Sequence, residues 1–352
     1  MNPITPISNT ELFGYEAIEA SLLQDASQGR LPHGIIISGV QGIGKATLAY
    51  RFARMLLSGS SSMQLDEGHP IFRRMLAQSH PDFLVVEPEF DEKKGEASNE
   101  IGADQARSIT EFLSLTPGES AWRVVIIDTV DQLTAHGANA ILKILEEPPP
   151  QAILLLISHN PGKLLPTIRS RCHVLKCPQP NLENYRRVMR HIAPDLDNEE
   201  RDIVGALTDY SPGLASQYAK QGASELYAQL ISLLETAPAC DPMQVHALAE
   251  QIGGQKTHSQ WHILTRLLLF IFGNLAKQAS AIPITTASSE ERALFQRLAP
   301  LYPATSWANK WHQILEQFLL AQRLHLDYKQ VIISFFHHIF TPEGFQIGNA
   351  TN

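Results

Sequence analysis

The segment Gly39-Val-Gln-Gly42-Ile-Gly44-Lys45-Ala46-Thr47 has the spacing of a phosphate-binding loop, G-x-x-x-x-G-K-[ST], with alanine where the hydroxyl residue belongs. Such a loop offers backbone N–H groups and a lysine ammonium to phosphate oxygens, while the hydroxyl after the lysine holds Mg²⁺. Ala46 removes that metal ligand and leaves the phosphate-binding parts, Gly39, Gly42, Gly44 and Lys45, in place. Thr47 does carry a hydroxyl, but it lies about 100° further round a helix and is expected to point elsewhere. A glycine-rich turn with no phosphate history is the bland alternative.

Three other segments carry candidate chemistry. Arg123-Val-Val-Ile-Ile-Asp128 reads as a buried strand ending in a carboxylate, on the side where parallel sheets bind ligands, so Asp128 is positioned to face a nucleotide's metal. P-loop ATPases of this type carry a glutamate at the next position to activate water, and Thr129 cannot act as a base near neutral pH. Another strand, Gln151 to Ile157, ends at Ser158-His159-Asn160, where Asn160 is either a contact to phosphate or water or simply a turn residue. Arg171, in Ser170-Arg171-Cys172 between a short helical segment and the strand-like His173-Val-Leu-Lys176, is on pattern alone a solvated surface charge.

The elements that must position these residues follow from periodicity. Gly34-Ile-Ile-Ile-Ser38 is a short β-branched run, expected to be a buried parallel strand. The helix after the loop carries Leu48, Phe52 and Leu56 on one face, and Ala138 to Glu147 is a second helix, with Ile141, Leu142 and Leu145 inward and three prolines to stop it. Strand, glycine loop and helix is the order a P-loop requires.

Length and composition bound the rest. A chain of 352 residues with 44% hydrophobic and 18% charged residues is expected to form two or three soluble globular domains. No signal peptide opens it, and the longest apolar stretch, Leu267 to Phe272, is too short to cross a bilayer. Cys172, Cys177 and Cys240 are spaced for neither a disulfide framework nor a zinc site, which fits a reducing cytoplasm. A net charge of −8 argues against strong, independent binding to nucleic acid. The charged stretch Asp91 to Glu96 is expected to be a solvated loop, and His337-His338 lacks a third metal ligand nearby.

Taken together, Phe13-Gly14-Tyr15, Arg30-Leu-Pro-His33-Gly34, His80-Pro-Asp82-Phe83, Trp122 to Asp128, Asn139 to Pro149 and Ser170-Arg171-Cys172 resemble the AAA+ clamp-loader subunits over the first 180 residues, in the family's order. The resemblance implies an α/β AAA+ P-loop domain, a parallel sheet with flanking helices, over 1–178. It further implies a small helical lid domain over 179–221, a C-terminal all-helical collar domain over 222–345, and a tail over 346–352. In this family the Ser-Arg-Cys arginine reaches across a subunit interface as an arginine finger to a neighbour's ATP, which would be the role of Arg171. The sensor-2 arginine of motor subunits has its counterpart here at Leu214 in Tyr210-Ser-Pro-Gly-Leu214, a third lost nucleotide contact beside Ala46 and Thr129.

The implied function is that of a non-hydrolysing structural subunit in ATP-dependent loading of a sliding clamp onto primed DNA, within the bacterial DNA polymerase III holoenzyme at the nucleoid. The implied partners are the gamma/tau motor subunits, the delta subunit, the clamp and primed DNA, with no membrane. No cofactor is required, binding of ATP in the chain's own site is doubtful, and no zinc is expected, since Gly59 to Ser79 lacks the family's zinc-module cysteines. Two alternatives stay open. One is an active AAA+ motor binding Mg·ATP through Lys45 and Asp128. The other is a small-molecule phosphotransferase, which the helical C-terminal half disfavours.

Overall fold

A computed structural model describes residues 4–341 apart from 89, 92–95, 98–99, 255–258, 285 and 287–288. The centre of the charged stretch 91–96 and the tail 346–352 therefore lie outside the described residues. The chain divides into two compact units, Met1–Ile192 with Ser211–Gly213, and Ala193–Tyr210 with Leu214–Asn352.

The first unit is built on five parallel strands, β1 (Gly34–Ser38), β2 (Phe83–Val86), β5 (Arg123–Asp128), β6 (Ala152–Ser158) and β7 (His173–Lys176), in the order β2-β5-β6-β1-β7. Two two-residue strands, β3 (Phe90–Asp91) and β4 (Glu96–Ala97), pair antiparallel outside this sheet. The inner strands β1 and β6 are buried along their whole length, because helices cover both faces and every side chain needs an apolar neighbour. Alternate residues serve opposite layers. Ile35, Ile37, Ile126, Ile153 and Leu155 pack with Leu48, Phe52 and Leu56 of α2 (Lys45–Ser58), while Ile36, Val125, Ile127, Leu154 and Leu156 pack with Ile141 and Leu145 of α5 (Ala135–Glu146). The expected α/β P-loop fold with a helical remainder is thus the observed one. The remaining helices of this unit are α1 (Glu16–Ser27), α3 (Pro70–Leu76), α4 (Ala103–Ser114), the short α6 (Pro166–Arg169) and α7 (Leu182–Ile192).

The motif His80-Pro-Asp82-Phe83 leads into β2 and has a structural job. The Asp82 carboxylate, 1% exposed, accepts hydrogen bonds from three successive amides, Gly118 at 2.6 Å and Glu119 and Ser120 at 2.8 Å each. Those bonds fix the loop before β5, and Ser120 Oγ in turn donates to the Leu57 carbonyl near the end of α2 at 2.9 Å. The Asp82 carbonyl accepts from Val124 N at 2.9 Å, which sets the register of β5 beside β2.

The second unit is helical: α8 (Asn198–Leu207), the greater part of α9 (Pro212–Lys220), α10 (Ala223–Glu235), α11 (Pro242–Gly253), α12 (Ser259–Ala279), α13 (Ser289–Leu298), α14 (Ala304–Arg323) and α15 (Tyr328–His338). The predicted stripe on α14 holds, with Trp307, Ile314, Phe318 and Ala321 buried and Trp311 half-buried. Trp261 of α12 stacks between Phe318 and Tyr328, with ring centroids 4.7 and 4.0 Å away. No described helix is long and apolar enough to cross a membrane.

Candidate functional site

The glycine loop leaves β1 after Ser38 and enters α2 at Lys45. Gly39 has φ 153°, and a Cβ there would lie 2.9 Å from Ile43 Cδ1 and 3.0 Å from the Cys177 carbonyl, so only glycine fits. The loop's carbonyls are occupied one after another. Lys45 Nζ, on a residue 3% exposed, donates to the Gly39 and Val40 carbonyls at 2.8 and 2.6 Å. Ser211 Oγ donates to Gln41 O at 2.6 Å, Gly213 N to Gly42 O at 2.8 Å, and Tyr15 OH to Ile43 O at 3.0 Å. Among the described residues, the amides of Val40 to Gly44 donate to no acceptor.

Around this loop the structure gathers the carboxyl ends of β5 and β6. Asp128 ends β5, where burial, reinforced by the Glu87 carboxylate and opposed by Lys45, raises its carboxyl to about 6. Burial lowers the Lys45 ammonium to about 8, against the pull of Cys177, Asp128 and Asp131. Thr129 is buried, and its hydroxyl donates to Gln132 Oε1 at 3.1 Å. Ala46 packs half-buried against the apolar layer of α2, and Thr47 beside it is buried. Ala46 thus brings no hydroxyl to the loop, and the Thr129 hydroxyl is engaged with Gln132.

Asp131, which no sequence motif singles out, organises the end of β6. Its carboxylate accepts from Ser158 Oγ at 2.8 Å, from the His159 amide, and from the Asn160 amide at 3.3 Å. Burial, then the nearby Lys45 charge, lowers His159 to about 4, so its imidazole is neutral at neutral pH. The candidate Asn160 is exposed and precedes a 3-10 turn over Pro161–Lys163, using its backbone rather than its side-chain amide for the bonds it makes among the described residues. Leu214 is half-buried in α9 and belongs to the second unit.

Arg171 is placed at the other end of the sheet. It follows α6 and precedes β7, whose first residue, His173, pairs with Ile35 at the start of β1. The loop begins where β1 ends, so a five-residue strand, about 15 Å at the usual rise, separates Arg171 from its own phosphate loop. The Arg171 side chain is 34% exposed, and its Nη1 donates to the Thr167 carbonyl at 3.0 Å while Nη2 pairs with Glu146 Oε1 at 2.8 Å. Three of the sequence motifs meet here. Cys172 packs over Gly34, where a Cβ would lie 2.8 Å from its Sγ, and His33 Nε2 bonds to the Leu145 carbonyl at 3.0 Å. The spacing of the motifs in sequence gave no sign of this junction, nor of Glu146 as the partner of Arg171, because it forms only when α5, β1 and β7 are brought together.

A family model described as DNA polymerase III, delta subunit, matches residues 14–181, a span that includes the loop, Asp128 and Arg171. DNA polymerase III subunit delta' of Pseudomonas aeruginosa is 33% identical over 239 residues, covering 68% of this chain and 68% of that protein. The chain belongs to the DNA polymerase III delta' family. Another member of the delta' family, from Escherichia coli, is 34% identical over 154 residues, 44% of each protein. DNA polymerase III subunit gamma/tau of Mycobacterium tuberculosis is 34% identical over 168 residues, 48% of this chain and 28% of that protein. The likeness to clamp-loader subunits drawn from the motifs is borne out by these matches, and delta' is the branch to which the chain is assigned.

Proposed function

We propose that this chain, a clamp-loader subunit of DNA polymerase III, is a non-hydrolysing one that supplies Arg171 in trans to the ATP site of a neighbouring gamma/tau motor subunit. It thereby supports ATP-dependent loading of the sliding clamp onto primed DNA, together with the delta subunit, at the replisome in the bacterial cytoplasm. The observation that carries this reading is the division of the first unit: its own loop lacks the hydroxyl and the base, while a partly exposed arginine stands at the opposite end of the sheet. An arginine so far from its own loop does not reach that loop's phosphates, so any phosphate it serves is held by another chain. A finger of this kind contributes about 10³ to 10⁵ in rate, so a subunit without hydrolysis can still govern it.

The residues fit a nucleotide only in part. The free amides of Val40 to Gly44 and the Lys45 ammonium suit phosphate oxygens, whereas Ala46 lacks the hydroxyl that holds Mg²⁺ and Thr129 lacks the carboxylate that activates a water. ATP is therefore not required by this subunit, and any that binds is not hydrolysed. The three-part division, with a lid over 179–221 and a collar over 222–345 that joins the subunits, belongs to the same proposal.

The test is clamp- and DNA-stimulated hydrolysis by the complex reconstituted with gamma/tau and delta. Arg171→Ala is expected to lower the rate of the adjoining site by at least about 10³-fold. Lys45→Ala, in contrast, is expected to leave the complex's rate unchanged. Substantial hydrolysis by the isolated wild-type chain would refute the proposal in favour of a motor acting through Lys45 and Asp128.

A further inference from the structure

We infer that Glu146 is a resident latch for Arg171: it holds the guanidinium on its own chain, and a neighbour's phosphate must displace a carboxylate before the arginine can serve it. The inference rests on the reading of Arg171 as a residue acting in trans, and it assigns that site a regulation of its own.

Both halves of the pair are anchored by rigid neighbours. Glu146 is the last residue of α5, whose end is fixed by the bond from His33 Nε2 to the Leu145 carbonyl at 3.0 Å, and Pro148, Pro149 and Pro150 follow. Arg171 is fixed by Cys172 packing over Gly34 and by its Nη1 bond to the Thr167 carbonyl at 3.0 Å. The two side chains meet at 2.8 Å, the Glu146 side chain 51% and the Arg171 side chain 34% exposed. That exposure decides what the pair can do. A buried pair would be too costly to open, whereas a solvent-facing one is weak and screened and can be displaced by a more highly charged competitor. A phosphate approaching the same guanidinium edge also meets the repulsion of the Glu146 carboxylate at close range. Glu146 is thus a positioning residue that opposes premature engagement, and it makes the arginine available only when the neighbouring site is presented closely enough to compete.

The experiment compares hydrolysis by the reconstituted complex, with and without clamp and DNA, for wild type, Glu146→Gln, Arg171→Ala and the double variant. Glutamine keeps the shape and a hydrogen-bond acceptor but removes the charge. Glu146→Gln is expected to raise the unstimulated rate about two- to five-fold, the range available to a solvent-exposed pair, and to leave the stimulated rate close to wild type. The increase is expected to vanish in the Arg171→Ala background, which a purely structural role of Glu146 would not produce. It is also expected to shrink as salt is raised, because salt weakens the wild-type pair as well. An unchanged or lowered unstimulated rate in a normally folded Glu146→Gln complex would overturn the latch while leaving the arginine's role intact. If Arg171→Ala itself hydrolyses normally, the reading beneath the latch fails, and the latch with it.

Discussion

Asp82→Asn tests whether the His80-Pro-Asp82-Phe83 motif is a fold determinant rather than part of the nucleotide chemistry. The carboxylate accepts three amide bonds, at 2.6, 2.8 and 2.8 Å, and it is 1% exposed, so water cannot replace a lost acceptor. Asparagine keeps one acceptor oxygen and turns an NH₂ toward at least one of the amides. A hydrogen bond to a charged group contributes about 1.5–3 kcal/mol, and an orphaned buried donor costs a similar amount, so the first unit should lose about 3 kcal/mol. Urea unfolding of the isolated chain measures this loss, and hydrogen exchange at Gly118, Glu119 and Ser120 locates it. The pH dependence carries a sign. Burial pushes the Asp82 carboxyl up, but the three amide bonds outweigh burial and hold it below its ordinary range. Its stabilisation is therefore complete above the unfolded value of about 3.9 and is lost as pH falls through the lower folded value. The gap between wild type and variant should be full at pH 7 and close below pH ~4. A loss under about 0.5 kcal/mol, or a gap that persists in acid, would refute the reasoning.

Two further outcomes are expected. Gly213→Ala places a Cβ 2.8 Å from Gly42 O and 2.9 Å from Gly42 Cα, backbone atoms that cannot swing aside, so it should destabilise the first unit by about 1–3 kcal/mol; an unchanged melting temperature would count against the described seating of Ser211–Gly213 on the loop. Asp128→Asn should stabilise the isolated chain near pH 7.5, because burial raises the folded carboxyl to about 6 and the stability it confers below the unfolded value is lost as pH rises through 6. Thermal melts should show the gain at pH 7.5 and none near pH 4, and a destabilised variant at pH 7.5 would contradict the assignment.

Much of the first unit was legible because its signals are local. Gly34–Ser38 and Arg123–Asp128 form strands with the predicted bounds, since unbroken β-branched and aliphatic runs have no low-energy place except a sheet covered on both faces. The loop helix was legible from Leu48, Phe52 and Leu56, and in the structure it starts at Lys45, inside the loop motif itself. What was not legible depends on residues far apart in sequence. Asp131 lies 27 residues from Ser158, and nothing about an aspartate in a turn says which strand end it will tie. Ser211 and Gly213 come some 170 residues after the loop carbonyls that they bond, at a spacing for which periodicity has no signal.

The sequence by itself determined which atoms the loop and the end of β5 lack. Ala46 has no hydroxyl and Thr129 no basic group, and no fold can supply atoms that the side chains do not contain. The tertiary structure alone decided what the remaining groups face. It carried Arg171 to the opposite end of the sheet and set Glu146 against it. The physical reason is that hydrogen bonds and ion pairs act over a few ångströms, whereas the distances between these residues along the chain fix nothing until the parallel strands bring their elements side by side.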